Sequence, residues 1–301
     1  MSPSECVKSN GSEAPTTATP PLGASPTTAD LASWYRSSGR HDLPWRQTRD
    51  PWAVLVSEVM LQQTSVSRVL PRWRRFLERW PNPGACAAAP LDEVLREWDG
   101  LGYPRRAAAL RRCAGVVATS GWPQDEVGLR ALPGIGAYTA RALMCLAFDQ
   151  PAAPARDVNL GRVAARCWLG TEKAPAGRLD EALTTHRPAT MLWRDYTLAL
   201  FDVGALLCRA RRVDCARCPL APECRSRSGL AAGIPVPSRH RRAFPGSMRQ
   251  LRGDVLRAML AAPALSLPEL ERLVGSELQA AEPERVAEAL DGLRRDGLLP
   301  G

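Results

Sequence analysis

The feature that most constrains this chain is a run of four cysteines in one short segment. The spacing is C-x6-C-x2-C-x5-C, and the residues are Cys208, Cys215, Cys218 and Cys224. Four thiolates so close in sequence can converge on one inorganic centre, and the uneven loops between them favour an iron–sulfur cubane. A structural zinc site is the alternative, although zinc ribbons more often pair two short C-x2-4-C knuckles. We therefore expect one [4Fe-4S] cluster in this segment, the cluster loop (residues 208–224).

Cysteine usage and hydropathy indicate an intracellular chain. The other five cysteines are scattered and the total of nine is odd, which disfavours a disulfide framework. The first residues carry no apolar signal segment, and no run approaches the roughly 18 uncharged apolar residues of a membrane span. We expect a cytoplasmic protein that is monomeric and does not bind membranes.

Positive charge is concentrated around the cluster loop. The chain has 40 Lys+Arg against 31 Asp+Glu, and residues 205–245 hold nine arginines against only Asp214 and Glu223. Such a block favours a polyanionic partner, of which nucleic acid is the commonest, although a solvated arginine-rich surface is the alternative. Within the loop, we expect three arginines to face phosphates: Arg209, Arg211 and Arg212.

The chain divides into four parts by composition. Residues 1–28 are mostly small and polar, which predicts a disordered tail. Residues 29–228 show helical periodicity with almost no alternation of period two, so the fold class is all-α. Residues 229–248 resemble a linker, and the C-terminal unit (residues 249–301) predicts a three-helix or truncated winged-helix piece.

Apolar residues recur at helical spacing in six stretches of the core. These stretches are Val56–Trp80, Leu91–Trp98, Arg105–Val117, Tyr138–Ala147, Leu160–Trp168 and Met191–Leu207.

A glycine-containing turn separates two of the predicted core helices. It reads Leu-Pro-Gly-Ile-Gly over residues 132–136, with Gly134 and Gly136 one residue apart. Two such glycines allow a tight turn that directs N–H groups outward at a helix N-terminus, where a phosphate oxygen can bind. An ordinary turn is the alternative, but the pattern resembles a helix-hairpin-helix DNA-binding motif.

The order of these motifs resembles that of the endonuclease III superfamily of base-excision DNA glycosylases. The resemblance covers roughly residues 30–228 and includes the hairpin, Asp157 some twenty residues later, and the cluster loop. Three further segments resemble the adenine DNA glycosylase branch, the MutY type: Leu43–Arg46, Ser57–Thr64 and Gly100–Tyr103. The resemblance implies a helix-hairpin-helix glycosylase fold, and a substrate of duplex DNA in which adenine is mispaired with 8-oxoguanine or guanine.

Two carboxyl groups suit the chemistry that this branch performs. Glu58 lies among Val56, Val59 and other apolar residues of a predicted helix, and such surroundings raise the pKa of a carboxyl and keep it available as a general acid. A surface helix glutamate is the alternative. Asp157 precedes a predicted helix, where capping is its ordinary role. The resemblance implies that Asp157 also stabilises the oxocarbenium-like sugar or places the nucleophile.

Tyr138 predicts the reaction type. The resemblance places the Schiff-base lysine of the strand-cleaving enzymes at this position, and tyrosine cannot form an imine. We therefore expect a monofunctional glycosylase, in which Tyr138 and Asn159 hold a catalytic water or Asp157. A core aromatic side chain is the alternative for Tyr138.

Base extrusion requires residues that fill the gap left in the duplex. The motifs imply that Gln63 inserts into the base stack and that Tyr103 wedges beside the opposite base. The remaining residues that the resemblance places at the adenine pocket or the DNA are Trp45, Arg46, Leu61, Leu101 and Asp202. For Trp45 and Leu61 the alternative is a role in core packing.

The chain departs from the branch at its C-terminal end. Many members carry a large α/β domain related to Nudix hydrolases, and residues 249–301 are too few for such a domain. This leaves open how 8-oxoguanine is recognised. Two other functions remain as alternatives: an endonuclease III-like glycosylase and lyase for oxidised pyrimidines, or a non-catalytic iron–sulfur DNA-binding redox regulator.

Overall fold

The computed structural model describes most of the chain and shows a helical protein. The described residues are 26–150, 154–231, 246–262, 265, 268–270, 272–273 and 283–299. Most of the predicted tail and linker lies outside them. In this described part the only strand-like pairing is an isolated antiparallel bridge between Cys208 and Val213, which agrees with the predicted all-α class. None of its helices is both long and apolar enough to span a membrane.

The described helices are numbered α1 to α15 along the chain. They are α1 Pro26–Ser38, α2 Pro44–Gln47, α3 Pro51–Leu61, α4 Val66–Arg79, α5 Pro83–Ala88, α6 Leu91–Glu97, α7 Arg105–Ser120, α8 Glu126–Ala131, α9 Ala137–Leu146, α10 Val158–Ala164, α11 Ala176–Thr185, α12 Trp193–Asp202, α13 Arg227–Ala231, α14 Met248–Ala261 and α15 Pro283–Arg295.

Helix α3 is the central element of the core. Asp50 caps its N-terminus by accepting from the amides of Trp52 and Ala53, and Pro51 follows at the first helical position, where no hydrogen bond is lost. Every residue from Trp52 to Met60 is buried. Helices α2, α4, α7 and α9 pack around it. A helix that is apolar on all sides must be enclosed in this way.

The predicted continuous helical stretch Val56–Trp80 is wrong at its middle. Helix α3 ends at Leu61, α4 begins at Val66, and Gln63 between them has a φ of 57°. Left-handed backbone cannot continue a right-handed helix. The break turns the chain outward and carries residues 62–65 to the surface above the core.

Two predicted helices end in π-helical turns. Helix α10 continues as a π-turn over Ala165–Leu169, and α12 continues as one over Val203–Leu207. Such turns shift the register of the side chains that follow, and they often occur at functional sites. The second π-turn leads directly into Cys208.

The described part of the C-terminal unit is helical and lies against the core. Two helices of this unit are described in full, α14 and α15. They pack on each other through buried Leu251, Val255, Val286 and Leu290. Helix α14 also contacts α6, so this unit is attached next to the loop between α6 and α7.

Candidate active site

Glu58 is enclosed in the central helix, as its apolar flanks predicted. The residue is only 7% exposed, and burial raises the pKa of its carboxyl to about 7. A hydrogen bond from the Tyr138 hydroxyl and the positive charge of Arg46 act against this increase, whereas the negative charge of Asp157 adds to it. At neutral pH a large fraction of Glu58 is therefore protonated and can donate a proton.

Tyr138 joins the hairpin helix to the two carboxyl groups. Its hydroxyl hydrogen-bonds Glu58, and the pKa of Tyr138 lies well above its usual value because of burial and the charges of Glu58 and Asp157. The hydroxyl therefore remains a donor at any physiological pH. We expected Tyr138 to hold a water or Asp157, whereas its hydroxyl hydrogen-bonds Glu58. The three side chains form one electrostatic unit.

Asp157 caps helix α10 with one oxygen, and the Asn159 side chain holds the other. One carboxylate oxygen accepts from the amides of Asn159 and Leu160, both at 2.8 Å, and the other accepts from the Asn159 side-chain amide at 2.7 Å. Burial raises the pKa of Asp157, and these donors act in the opposite direction. Helix capping and the expected catalytic role are compatible, because the contacts that make the cap also fix the orientation of the carboxylate.

Arg162 connects this carboxylate to the start of the cluster loop. Its guanidinium donates to the Asn159 side-chain oxygen at 2.8 Å and to the carbonyls of Gly204 and Cys208, both at 2.7 Å. Glycine at position 204 allows Asn159 to lie close to this backbone, since a Cβ there would be 2.7 Å from the Cβ of Asn159. Sequence reasoning missed Arg162 and Gly204, because neither belongs to a motif that we identified.

The four cysteines of the cluster loop surround one small cavity. Cys208, Cys215, Cys218 and Cys224 all line it, together with apolar Leu207, Val213 and Ala221. In the described residues, no three His, Cys, Asp or Glu side chains are grouped in a way that would hold a single metal ion. The site is a thiol-lined cavity.

A buried arginine supports the chemistry expected of such a cavity. Arg166 is 1% exposed, and its guanidinium lies 3.7 Å from the Cys208 sulfur and 2.9 Å from the Arg209 carbonyl. Its charge is balanced by an ion pair with Glu172. A buried guanidinium within hydrogen-bonding distance of a sulfur is a favourable neighbour for an anionic centre. The donor set and its surroundings therefore fit an anionic iron–sulfur cluster.

The three predicted phosphate-binding arginines lie at the surface. Arg209, Arg211 and Arg212 are exposed, and the amide of Arg209 bonds the carbonyl of Arg212 at 3.1 Å, which closes the turn that carries them. The turn begins at Cys208. A cluster bound to Cys208 would therefore anchor one end of this cationic turn.

Gln63 and Tyr103, the two residues expected to fill the gap in the duplex (below, the wedge residues, on the two wedge loops), meet at the surface. The Tyr103 hydroxyl donates to the Gln63 side-chain oxygen at 2.7 Å. Both residues have left-handed backbone, with φ of 57° at Gln63 and 51° at Tyr103. Such conformations are unfavourable for residues other than glycine, and they persist only where the surroundings impose them.

Arg106 imposes that geometry on both loops, and sequence reasoning missed it. Its two terminal nitrogens donate to five carbonyls. Three lie at the end of α3 and two in the loop before Tyr103. Burial lowers the pKa of Arg106 to about 10, so the group stays charged. A cation at the C-terminal end of α3 also interacts favourably with the helix dipole. The five acceptor carbonyls of Arg106 are those of Val59, Met60, Gln62, Leu101 and Gly102.

Arg106→Lys should loosen both wedge loops. A lysine ammonium has three donors on one atom and cannot replace the planar fork, so we expect the free energy of unfolding to fall by about 1–3 kcal/mol. Urea unfolding measures this change, with Arg112→Lys on the exposed side of α7 as the control. Equal unfolding free energies for the two variants would contradict the assignment.

Arg46 and Asp202 form a buried ion pair that the sequence did not reveal. The Arg46 guanidinium donates to both Asp202 oxygens, at 2.6 and 2.9 Å, and Arg40 donates to the same carboxylate. Asp202 is fully buried, and these donors together lower its pKa despite burial. Arg46 is therefore committed to Asp202, and from that position its charge acts on Glu58.

Three of the predicted pocket residues contribute mainly to the core. Trp45 is 7% exposed and packs edge-on against Trp73 at 5.8 Å. Leu61 is partly buried and packs on the core. Leu101 is 4% exposed, so only its backbone carbonyl reaches the wedge loops. For Trp45 and Leu61 this agrees with the core-packing alternative.

The glycine turn forms a hairpin between α8 and α9. Gly134 has a φ of 79°, and a Cβ there would lie 2.7 Å from the Cβ of Ala109. The position therefore requires glycine on two counts. Gly136 is exposed and precedes the first residue of α9. The turn thus rests on α7 while the start of α9 faces outward.

The chain is similar to known DNA-repair proteins over most of its length. Residues 56–187 match the family described as HhH-GPD superfamily base excision DNA repair protein. The Adenine DNA glycosylase of Mycolicibacterium smegmatis is 42% identical over 277 residues, covering 90% of this chain and 91% of that protein. The protein of the same name from Mycobacterium tuberculosis is 43% identical over 245 residues, covering 76% and 78%.

A solved structure shares the fold. The structure of a thermostable thymine-DNA glycosylase matches with a TM-score of 0.59 and 26% identity, and the match covers 67% of this chain and 95% of that one. The helical core, the glycine hairpin and the named relatives all indicate the same family. This chain belongs to the HhH-GPD superfamily of base excision DNA repair proteins, within its adenine DNA glycosylase branch.

Proposed function

We propose that this protein is a monofunctional adenine DNA glycosylase that removes adenine mispaired with 8-oxoguanine or guanine in duplex DNA. The observation that carries the proposal is the unit formed by Glu58, Tyr138 and Asp157. It supplies a proton donor active at neutral pH beside a second carboxylate, in a family of base excision repair proteins. The relatives named adenine DNA glycosylase support the choice of base.

The reaction follows from the roles of these two carboxyl groups. Protonated Glu58 donates to a ring nitrogen of the extruded adenine, so that the N-glycosidic bond breaks with its electron pair leaving on the base. Positive charge develops on the deoxyribose, where ionised Asp157 stabilises it. Water then adds to C1′ and loses a proton to a carboxylate. The product is an intact abasic site.

Tyr138 and Asn159 act through the carboxyl groups. The Tyr138 hydroxyl holds Glu58 in place, and the Asn159 amide orients Asp157. Tyrosine at position 138 offers no amine for a Schiff base, which argues against the lyase alternative.

We also propose that Cys208, Cys215, Cys218 and Cys224 hold one [4Fe-4S] cluster. The four thiols line a single cavity, and their uneven C-x6-C-x2-C-x5-C spacing favours a cubane over a single zinc ion. The cluster would supply a rigid anchor for the arginine turn that faces the DNA phosphates. Purified protein should contain iron and acid-labile sulfide in a one-to-one ratio, and stoichiometric zinc without sulfide would refute the assignment.

The substrate is tested by single-turnover assays on matched duplexes. These carry A·8-oxoguanine, A·G, A·T, T·G or thymine glycol, and free base and strand breaks are measured separately. We expect adenine release from the first two without strand cleavage. Release of thymine or thymine glycol instead, or a borohydride-trapped protein–DNA adduct in good yield, would refute the proposal. We also propose that the enzyme is monomeric, cytoplasmic and associated with the nucleoid, where its DNA substrate lies.

A further inference from the structure

The C-terminal unit reaches the wedge through one side chain. Arg249, in the first turn of α14, donates to the Tyr103 hydroxyl at 3.0 Å and lies 5.8 Å from the centre of its ring. Tyr103 in turn donates to Gln63. Arg249 is exposed. The three residues form a continuous polar row from the C-terminal unit to the end of α3.

The unit is attached along the whole loop that carries Tyr103. Arg257, two turns beyond Arg249, pairs with Asp99 at 3.4 Å, and Arg96 donates to the carbonyl of Leu260 at 3.0 Å. At the other side, Asp296 lies 3.6 Å from Arg105, which follows the wedge loop. Contacts at both sides of the loop fix the position of α14 relative to Tyr103.

The same unit lies on the face that carries the hairpin. Asp296 lines one cavity together with Gly134 and Ile135 of the hairpin and Gln62 at the end of α3. The end of α3, the hairpin and the residue that follows α15 therefore border a common surface. In the proposed function, this surface receives the duplex.

We propose that Arg249 reads the base opposite the excised adenine, an inference that rests on the proposed function. A side chain bonded to the hydroxyl of an inserted tyrosine lies at the level of the bases, and phosphates lie farther out. The ligand is a guanine-type purine. Arginine donates two parallel hydrogen bonds to the O6 and N7 acceptors of guanine. In 8-oxoguanine N7 carries a hydrogen, so the guanidinium would donate to the O6 or the O8 carbonyl of that base.

The reading role is tested by equilibrium binding of the full-length protein. The probes are duplexes with a non-hydrolysable adenine analogue opposite 8-oxoguanine, guanine or a tetrahydrofuran abasic site. For the wild type we expect tighter binding when a purine is present. Arg249→Ala should lower the affinity for the purine-containing duplexes about tenfold and leave the affinity for the abasic duplex unchanged. Arg249→Lys should lose most of the preference for the guanine duplex, since lysine keeps the charge but not the fork.

Two further variants separate reading from attachment. Arg257→Ala removes one of the contacts that attach the unit beside this loop but keeps the Arg249 side chain, so any loss of affinity should be equal for the three duplexes and the ratio between purine and abasic affinities should stay at the wild-type value. Tyr103→Phe keeps the ring but removes the hydroxyl that receives Arg249, so the ratio should fall.

If Arg249→Ala lowered the affinity for all three duplexes equally, or if Arg249→Lys bound the guanine duplex as tightly as the wild type, the reading role would be overturned and a phosphate contact indicated. The binding assay requires no turnover. Absence of adenine release by the wild type would therefore refute the proposed function separately.

Discussion

Glu58→Gln should slow adenine release by about 10²–10⁴-fold, the usual contribution of a positioned general acid. Glutamine is nearly isosteric with the protonated carboxyl, so helix α3 and its packing should be retained. Its amide cannot transfer a proton to the base. Single-turnover release from an A·8-oxoguanine duplex measures the loss, and binding of the same duplex should change little.

The control for this variant is Glu78→Gln. Glu78 is an exposed glutamate of the neighbouring helix α4, and the same chemical change there should leave release unaffected. Wild-type release by Glu58→Gln would remove the acid from the mechanism and would favour the non-catalytic regulator.

The pH dependence of release has a predicted direction. Because the active form of Glu58 is protonated and its pKa is about 7, release should decline above neutral pH, approaching tenfold per unit. On the acid side, release should decline only where Asp157 becomes protonated, which burial moves above the usual range of an aspartate. A rate that rises from pH 7 to pH 9 would contradict these roles.

Asp157→Asn should reduce release by about 10²–10³-fold, the scale of losing one preorganised charge contact in a transition state. Asparagine caps helices about as well as aspartate does. The variant therefore separates the two roles of this residue, because it keeps α10 in place but removes the negative charge. Thermal melting should be close to wild type while single-turnover release falls.

Asp125→Asn provides the matched comparison. Asp125 caps α8 by accepting from the amide of Gly128 at 2.7 Å, away from Glu58. The same exchange there should change neither stability nor release by much. If both variants lost activity equally, the effect at position 157 would be structural.

Local patterns in the sequence were sufficient for the helical fold and the main carboxyl groups. Apolar neighbours in the chain predicted the burial of Glu58, and the position of Asp157 before a helix predicted its cap. Both effects act within a few residues, so they are visible in a sequence. The break at Gln63 was not visible, since it interrupts an apolar pattern that continues on both sides.

Contacts between distant segments could not be predicted. Arg46 and Asp202 are 156 positions apart, and both were selected as pocket residues without any sign that they pair. Arg106 donates to carbonyls, which every residue has, so no partner side chain marks its role in the sequence. Arg249 meets Tyr103 across 146 positions. Their roles depend on packing that only the folded chain defines.

The contacts of Arg162 have a consequence for how inherited variants of such a protein should be judged. One guanidinium supports both the carbonyl of Cys208 and, through Asn159, the carboxylate of Asp157. A change at this codon would disturb two sites at once, although the residue is neither a thiol ligand nor a proton donor. A method that ranks variants by their distance from the damaged nucleotide would score a substitution of Arg162 as harmless. We expect cells that carry such a substitution to show a raised mutation rate.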